Sequence, residues 1–284
     1  MKIGAHVSIA GGIENAPQNA KLLNCECFQM FSRSPRGGNY KGITPKIAKK
    51  FLRNCKKFDF KIGEDYIIHS PYFINLASPN DKIYYGSINT LREELNTANL
   101  IKCPYVITHI GSSKNLKEKN RQEQVNKKVT KAIKKIHENY QGNSVLILEI
   151  AAGSGNIIGD TFEEIGYFIK QAKKEKIKLG FCLDTCHAFA AGYDLRTTKK
   201  VKKMFEEINK KIGLNYLKCI HFNDSQVDLG SHVDRHEHIG KGRIGIKGLK
   251  EVARIAKNLN LNLYLETKHN KINEDLELTR SFMK

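Results

Sequence analysis

The chain has 284 residues and a formal net charge of +19, because 48 lysines and arginines stand against only 29 aspartates and glutamates. Hydrophobic residues make up 40% of it, which is enough for a sizeable core, but no run approaches the roughly 18 consecutive apolar residues of a membrane-spanning helix. These totals exclude an integral membrane protein and fit two small domains or one α/β barrel of about 250 residues.

The excess of lysine has two explanations that composition leaves open. One is a lysine-rich genome, which the many asparagines and isoleucines support. The other is a polyanionic partner, whose condensed counterions are released when a basic protein binds it. The second explanation also requires that several of the scarce carboxylates serve a purpose other than balancing charge.

The cysteines and the first residues bear on the compartment. The seven cysteines are odd in number, and most lie inside apolar runs, where a free thiol behaves as a small hydrophobic group. The opening MKIGAHV lacks the charged and then apolar layout of a signal peptide. We therefore expect an intracellular protein, cytoplasmic or nucleoid-associated, in a reducing compartment.

Eight short apolar runs recur along the chain. They are nearly continuous rather than alternating, which is typical of parallel strands covered on both faces. The runs span residues 2–7, 25–31, 65–70, 104–111, 144–150, 178–184, 217–224 and 261–267.

Segments with helical spacing of apolar residues lie between these runs. Thr44 followed by Pro45 predicts the capped start of one helix. Three further helices are predicted from apolar stripes made of Val125, Val129, Ile133 and Ile136; of Phe162, Ile165, Phe168, Ile169 and Ala172; and of Val201, Met204, Phe205, Ile208 and Ile212.

Eight β–α units without a linker predict a single (β/α)₈ TIM barrel over residues 1–284. A doubly wound sheet is the alternative, and the strand count argues against it. The adjacent glycines of SIAGGIENA do not have the spacing of a dinucleotide-binding loop.

Six consecutive predicted strands end in a side chain that can bind a metal ion. In a parallel barrel these ends share one rim, where the chemistry of the fold lies. Each residue alone has a plainer explanation, such as a framework histidine or a helix cap, but independent framework residues have no reason to choose one rim. These residues are His69, His109, Glu149, Asp184 with His187 three positions later, His221 and Glu266.

The stretch from Ile220 to Gly240 contains four of the ten histidines, and it adds Asp234 and His236 as a D-x-H pair. The set offers histidine and carboxylate ligands only, which suits zinc, manganese or iron. Nine ligands exceed the needs of one ion, so we expect a cluster of two or three ions at the C-terminal rim. Together with the basic charge, paired ions indicate a phosphodiester substrate.

Several blocks resemble the endonuclease IV family, the zinc-dependent apurinic/apyrimidinic endonucleases of base-excision repair. The resemblance covers nearly the whole chain, and its two longest blocks are highly specific. The matching blocks are GAHVSIAGG (4–12), HSPYFINL (69–76), LDTCHAFAAGYDLRT (183–197), HFND (221–224), VDRHEHIGKGRIG (233–245) and LET (265–267).

The resemblance implies three Zn²⁺ ions, with Mn²⁺ or Fe²⁺ able to replace one or more of them. His69, His109 and Glu149 would hold the first ion, and Glu149 would bridge to the second as the central catalytic residue. The second ion would be completed by Asp184, His221 and Glu266, and the third held by His187, Asp234 and His236.

The resemblance also implies the reaction. A metal-bridged hydroxide would hydrolyse the phosphodiester 5′ to an abasic site in double-stranded DNA, leaving a 3′-hydroxyl and a 5′-deoxyribose phosphate. The family also removes 3′-blocking groups, and no organic cofactor is implied. A metal-dependent sugar isomerase or epimerase on the same barrel is the alternative, and a non-enzymatic nucleic-acid binder is a third. We expect a monomer that does not associate with membranes.

Two loops are the candidates for DNA contact. By resemblance, Arg36 in the first and Tyr72 with Phe73 in the second would enter the duplex. The plainer explanation is that the two aromatic side chains pack against the next helix. Departures from the family pattern concern GGNY (37–40), where Tyr40 could replace a bulkier wedge, and Ile110, Ile150 and Ala151 near the ligands.

Overall fold

A computed structural model describes residues 1–38, 40, 42–114, 116 and 118–283. In this part of the chain eight parallel strands close into a barrel, so the predicted fold is confirmed. The strands are β1 (Ile3–His6), β2 (Cys27–Phe31), β3 (Tyr66–His69), β4 (Tyr105–Thr108), β5 (Val145–Glu149), β6 (Leu179–Asp184), β7 (Leu217–His221) and β8 (Asn262–Leu265).

Each of the eight predicted runs contains one barrel strand, although most strands are a few residues shorter than predicted. Neighbours in sequence are neighbours in space, and β1 pairs with β8 to close the barrel. Nearly every strand residue is buried, which explains the continuous apolar patterns in the sequence.

Two layers of core hold the barrel together. The larger layer lies between the strands and the surrounding helices. A separate cluster takes one side chain from each of seven strands, as expected for residues that fill the interior of the barrel. It consists of Cys27, Ile67, Ile107, Ile147, Cys182, Cys219 and Tyr264. All seven cysteines of the chain are buried free thiols.

The described helices are α1 (Ala16–Leu22), α2 (Pro45–Lys57), α3 (Asp81–Leu100), α4 (Arg121–His137), α5 (Phe162–Lys174), α6 (Thr185–Ala190), α7 (Thr198–Lys211), α8 (Gly245–Asn258) and α9 (Ile272–Ser281). The three predicted apolar stripes are buried on α4, on α5 and along α7 to its C-cap. Thr44 caps α2 by accepting from the N–H of Ile47, as predicted. None of these helices combines the length and apolar character needed to cross a bilayer.

Two short antiparallel ribbons lie beyond the C-terminal ends of the strands. Gly111–Ser112 pairs with Ile157–Ile158, and Asp224–Ser225 pairs with His236–Glu237. The second ribbon fastens the long loop after β7 to the end of that strand. His236 is therefore held by backbone hydrogen bonds rather than by a free loop.

We expect Gly248→Ala to lower the free energy of unfolding by about 1–3 kcal/mol, because overpacking of a tight contact costs that much. A Cβ atom at this position of α8 would overlap the backbone carbonyl of Leu195, in the loop after α6. Gly86→Ala in α3 is the matched control, since no atom lies within 4 Å of its Cβ position. It should stabilise the helix by up to ~1 kcal/mol. Urea unfolding measures both, and equal stability of the two variants would contradict the packing.

Candidate metal centre

The structure brings all nine side chains of the sequence-predicted ligand set to the same end of the barrel. Their ligand atoms form three groups, and within each group these atoms lie within 4.8 Å of one another. The first group is His69, His109 and Glu149; the second is Glu149, Asp184, His221 and Glu266; the third is His187, Asp234 and His236. Glu149 belongs to two groups, as expected of a bridging carboxylate.

Glu149 is the centre of the arrangement. It ends β5 with 1% of its surface exposed, and four imidazoles approach its two carboxylate oxygens. On one oxygen the contacts are 3.1 Å from His69 and 3.5 Å from His109; on the other they are 3.2 Å from His187 and 2.9 Å from His221. Residues from four different strand ends therefore converge on one carboxylate.

The charges of this centre compensate one another. Burial alone would raise the pKa of Glu149, but the nearby imidazoles of His109 and His221 hold it well below its ordinary value. Burial would likewise lower the pKa of His221, but the carboxylates of Glu266 and Glu149 raise it to about 10. The Glu149 carboxylate is thus held in the charged form that binds metal ions.

Three of the histidines have their second ring nitrogen held by an acceptor. His69 Nδ1 donates to the Ser70 carbonyl oxygen at 2.6 Å, and His187 Nδ1 donates to the Ile150 carbonyl oxygen at 3.0 Å. His221 Nε2 lies 2.7 Å from Oε1 of Gln29. Such bonds fix the orientation of ligand histidines in metalloproteins. Gln29 was missed at the level of sequence, because an amide inside a strand gives no signal of its partners.

Asp184 has two roles that the sequence presented as alternatives. One of its oxygens caps α6 by accepting from the N–H of His187 at 2.8 Å. Its other oxygen accepts from the Asn223 side-chain amide at 2.8 Å and belongs to the second group. The buried Asn223 also accepts from the backbone N–H of Glu266 at 2.9 Å. It therefore connects two members of that group, and no sequence pattern singled it out.

The third group is the most accessible of the three. His187 Nε2 lies 3.2 Å from Asp234 and 3.4 Å from His236 Nε2. The loop that carries Asp234 and His236 is tied to β7 by Asp224. The buried Asp224 carboxylate accepts from the backbone N–H groups of Ser225, Gly240, Gly242, Ile244 and Gly245.

The sequence analysis placed no cysteine among the ligand positions, but one cysteine lies close to them. The sulfur of Cys186 lies within 4.8 Å of ligand atoms of Asp184 and His236. Burial raises the pKa of this thiol to about 12, and it donates to the Arg235 carbonyl oxygen at 3.4 Å. A backbone oxygen thus engages the thiol, and the nine histidine and carboxylate side chains remain the proposed ligand set.

A cavity of about 220 Å³ opens above the centre, and members of all three groups line it together with Phe31 and Tyr72. It is smaller than the roughly 300–1,000 Å³ pocket of a drug-sized ligand, so it suits a small part of a larger substrate. A groove of about 470 Å³ lies between α4 and α5, but no histidine or cysteine of the described residues lines it. Size alone therefore does not identify the site.

The two candidate DNA loops stand beside this cavity. Arg36 is exposed, and Tyr72 and Phe73 keep 65% and 44% of their surface exposed, so neither aromatic side chain is buried against the next helix. The ring of Tyr72 lies 5.9 Å from that of His69. A Cβ on Gly37 would lie 3.7 Å from the Phe73 ring, so the two loops lie close together.

Buried charges anchor the Arg36 loop to α3. The Arg33 guanidinium donates to Glu94 and, at 2.8 Å, to Glu93, and it stacks 3.6 Å from the centre of the Tyr40 ring. The Glu94 carboxylate also accepts from the Ser32 hydroxyl at 2.6 Å. Burial raises the pKa of Glu94, although Arg33 opposes this. Tyr40 thus packs on Arg33, whereas the Arg36 side chain is exposed.

The remaining departures do not disturb the centre. Ile110 is buried, and its carbonyl oxygen accepts from the N–H of Leu76 at 2.9 Å. Ile150 contributes its backbone carbonyl to His187, and Ala151 donates its N–H to the Gly159 carbonyl oxygen at 2.9 Å. Asn39, within GGNY, lies outside the described residues.

Comparison with known proteins agrees with this geometry. Residues 17–282 match the family model described as a xylose isomerase-like TIM barrel. The chain is 38% identical over 276 residues to a probable endonuclease 4 of Cenarchaeum symbiosum, covering 97% of this chain and 96% of that protein. It is 35% identical to an apurinic-apyrimidinic endonuclease of Caenorhabditis elegans, covering 96% of this chain and 68% of that protein.

A solved structure is similar along its whole length. Endonuclease IV from Thermus thermophilus superposes with a TM-score of 0.85 at 29% sequence identity. The match covers 100% of this chain and 99% of that one.

We expect Asp224→Asn to release the loop that carries the third group. An amide presents one acceptor oxygen and an NH₂ group, so some of the five N–H donors lose their partner. This loss costs about 1–3 kcal/mol of the stability of the loop. Amide hydrogen exchange of residues 226–245 should therefore accelerate by about 5–150-fold, while that of β3 to β5 stays unchanged.

Asp228→Asn is the control for this substitution. Its side chain is 83% exposed and faces Arg243 at 3.4 Å, so exchange in the same loop should stay at the wild-type rate. Equal exchange in the two variants would refute the role of Asp224.

Proposed function

The chain belongs to the endonuclease IV family of apurinic/apyrimidinic endonucleases, and we propose that it hydrolyses the phosphodiester on the 5′ side of an abasic site in double-stranded DNA. The products are a 3′-hydroxyl and a 5′-deoxyribose phosphate. One observation carries the proposal: nine histidine and carboxylate side chains meet at one cavity in three groups, two of which share Glu149.

The donor set fits metal ions. Each group offers imidazole nitrogens and carboxylate oxygens, the ligands that zinc, manganese and iron accept. The first and second groups would each hold one ion with Glu149 between them, and the third group would hold another. We propose Zn²⁺ for all three, with Mn²⁺ or Fe²⁺ as replacements. Bound ions supply Lewis-acid stabilisation of the phosphate and a water of lowered pKa.

The residues of the chain do the positioning. Glu149 fixes the spacing of the first two groups, because its two oxygens face different histidines. The buried hydrogen bonds of His69, His187 and Asp184 keep the ligand atoms directed at the cavity. Tyr72 lines the cavity beside His69, and its exposed ring is available to contact the DNA.

The loops around the cavity suit a deformed DNA duplex. Exposed cations stand on the loops that follow four strands, namely Arg36 after β2, Lys114 after β4, Arg235 and Lys241 after β7 and Lys268 after β8. We propose that these cations neutralise phosphates of the bound duplex. Phe73, exposed beside Gly37, enters the stack where the abasic site lacks a base.

A sugar isomerase on the same barrel is the weaker candidate. It leaves the third group of His187, Asp234 and His236 without a use, and it gives the rim cations no partner. The small cavity and its exposed surroundings suit one sugar-phosphate unit of a polymer. Removal of 3′-blocking groups is a second reaction that the same site can perform, since the cleaved bond is again a phosphodiester.

We further propose that residues 1–284 act as one catalytic domain and as a monomer inside the cell, without an organic cofactor. The pairing of β1 with β8 supports the single domain, because the barrel closes only when both ends of the chain are present. All nine ligand side chains come from one chain, so the site needs no second subunit.

We expect Glu149→Gln to slow incision of an abasic-site duplex by about 10²–10⁴-fold, since losing a bridging carboxylate removes several kcal/mol of transition-state stabilisation. Gel analysis of a 5′-labelled duplex measures this loss. The chelator EDTA should abolish wild-type incision as well.

The control variant is Glu163→Gln, whose side chain is exposed on α5 and pairs with Lys211 at 2.9 Å. It should cut at the wild-type rate. A wild-type protein that leaves the abasic duplex intact would refute the proposed function.

We expect Arg36→Ala to raise the KM for abasic duplex by about 5–30-fold, which corresponds to a loss of about 1–2 kcal/mol of binding. It should also reduce the slope of log KM against log salt by about 1, because one phosphate contact is lost. Arg53→Ala, an exposed arginine on α2, is the matched control and should change neither quantity. Equal salt slopes for all three proteins would contradict the role of Arg36.

A further inference from the structure

Gln29 is the one polar side chain in β2, whose sequence is CFQMF, and it is completely buried. Burying an amide without hydrogen-bond partners costs free energy. The hydrogen bonds of Gln29 therefore explain how its side chain can be buried. The side chain lies in the barrel beneath the metal-binding cavity. It is absent from the three ligand groups and does not line the cavity.

The amide contacts two members of the second group and one further histidine. Its Oε1 lies 2.7 Å from Nε2 of His221. Its Nε2 donates to Oε1 of Glu266 at 2.6 Å and lies 2.9 Å from Nδ1 of His6. One acceptor and two donor hydrogens meet three partners, so the side chain is fully used.

The carboxylate decides which way the amide points. An ionised carboxylate only accepts hydrogen bonds, so the NH₂ group of Gln29 must face Glu266. Its oxygen then faces His221, and His221 must carry a hydrogen on Nε2 to donate to it. The Nδ1 atom of His221 is consequently the nitrogen left to face the second group, where it lies 2.9 Å from Glu149 and 3.5 Å from Glu266.

We infer that Gln29 is a positioning residue for the second ion. A single amide sets the tautomer of His221 and holds one oxygen of Glu266, so that the other oxygen stays beside His221 Nδ1. This inference rests on the proposed function, because it assumes that the second group binds an ion. In this role β2 contributes to the second group, in addition to the two strand ends that supply His221 and Glu266.

Zn²⁺ titration against a chromophoric chelator tests the inference on the full chain. Gln29→Met keeps the length of the side chain and removes its polar atoms, and we expect one Zn²⁺ equivalent to bind about 10–100-fold more weakly. The other equivalents should keep their affinity. Gln171→Met on α5 is the control and should bind all equivalents as the wild type does.

Nitrogen-15 NMR of the histidines supplies a readout that a general loss of stability would not change. Zinc-loaded wild type should show His221 with its hydrogen on Nε2 and with a downfield proton shift, because that N–H donates to Gln29. Folded Gln29→Met should lose the downfield shift, since no acceptor remains. Gln29→Glu keeps the acceptor for His221 but sets a second carboxylate against Glu266. It should therefore retain the downfield shift while the same Zn²⁺ equivalent weakens.

The outcomes separate this inference from the proposed function. A wild type that binds no Zn²⁺ overturns the proposed function itself. A wild type that binds Zn²⁺ while both folded variants match its affinities and its His221 Nε2–H proton shift overturns only the role of Gln29. Should neither variant fold, the wild-type spectrum decides, because an Nδ1–H tautomer of His221 in the zinc-loaded protein contradicts the inference.

Discussion

The buried carboxylate of Glu149 is the constraint on which the rest of the structure depends. A carboxylate excluded from water is unstable unless charged or polar partners surround it. Here four imidazoles lie within 3.5 Å of its two oxygens. These imidazoles follow four different strands, so the barrel must be closed and in register before the charge of Glu149 is compensated. Folding and assembly of the site are therefore the same event.

The closed barrel alone does not orient the ligands, because an imidazole can rotate about its side-chain bonds. A layer of hydrogen bonds beneath the ligand atoms does so. It includes backbone carbonyls of Ser70 and Ile150, the amide of Asn223 and the amide of Gln29. The two carbonyls and Gln29 each hold the ring nitrogen that faces away from the ligand group, so the opposite nitrogen is fixed towards it, and Asn223 holds a carboxylate oxygen of Asp184 directly. This arrangement reduces the conformational freedom that binding would otherwise remove.

The sequence predicted the barrel and the nine converging side chains for a physical reason. Parallel strands buried on both faces are continuously apolar, and their last residues share one rim, so position along the chain indicates position in space. The hydrogen-bonded layer follows no such pattern. Gln29 and His221 are 192 residues apart, and nothing in CFQMF indicates that pairing. The same holds for Arg33 and Glu94, because a surplus of charge does not specify partners. The closeness of Cys186 to the ligand atoms likewise cannot be seen in DTCH.

The net charge of +19 divides into two parts with different causes. In a β/α barrel each helix runs back from the rim, so its last turn lies at the end opposite the site. The last turns of α2, α4, α5 and α7 all carry lysine pairs. These cations complement the negative end of each helix dipole and lie far from the cavity compared with a Debye length of about 8–10 Å.

The cations on the rim loops have no such structural use. They stand on the loops around a centre whose Glu149 carboxylate is buried and compensated by imidazoles, so this charge does not repel a phosphate backbone. A lysine-rich composition therefore explains the cations at the ends of the helices, whereas a polyanionic substrate explains the cations of the rim loops. The two explanations that the composition left open apply to opposite ends of the same barrel.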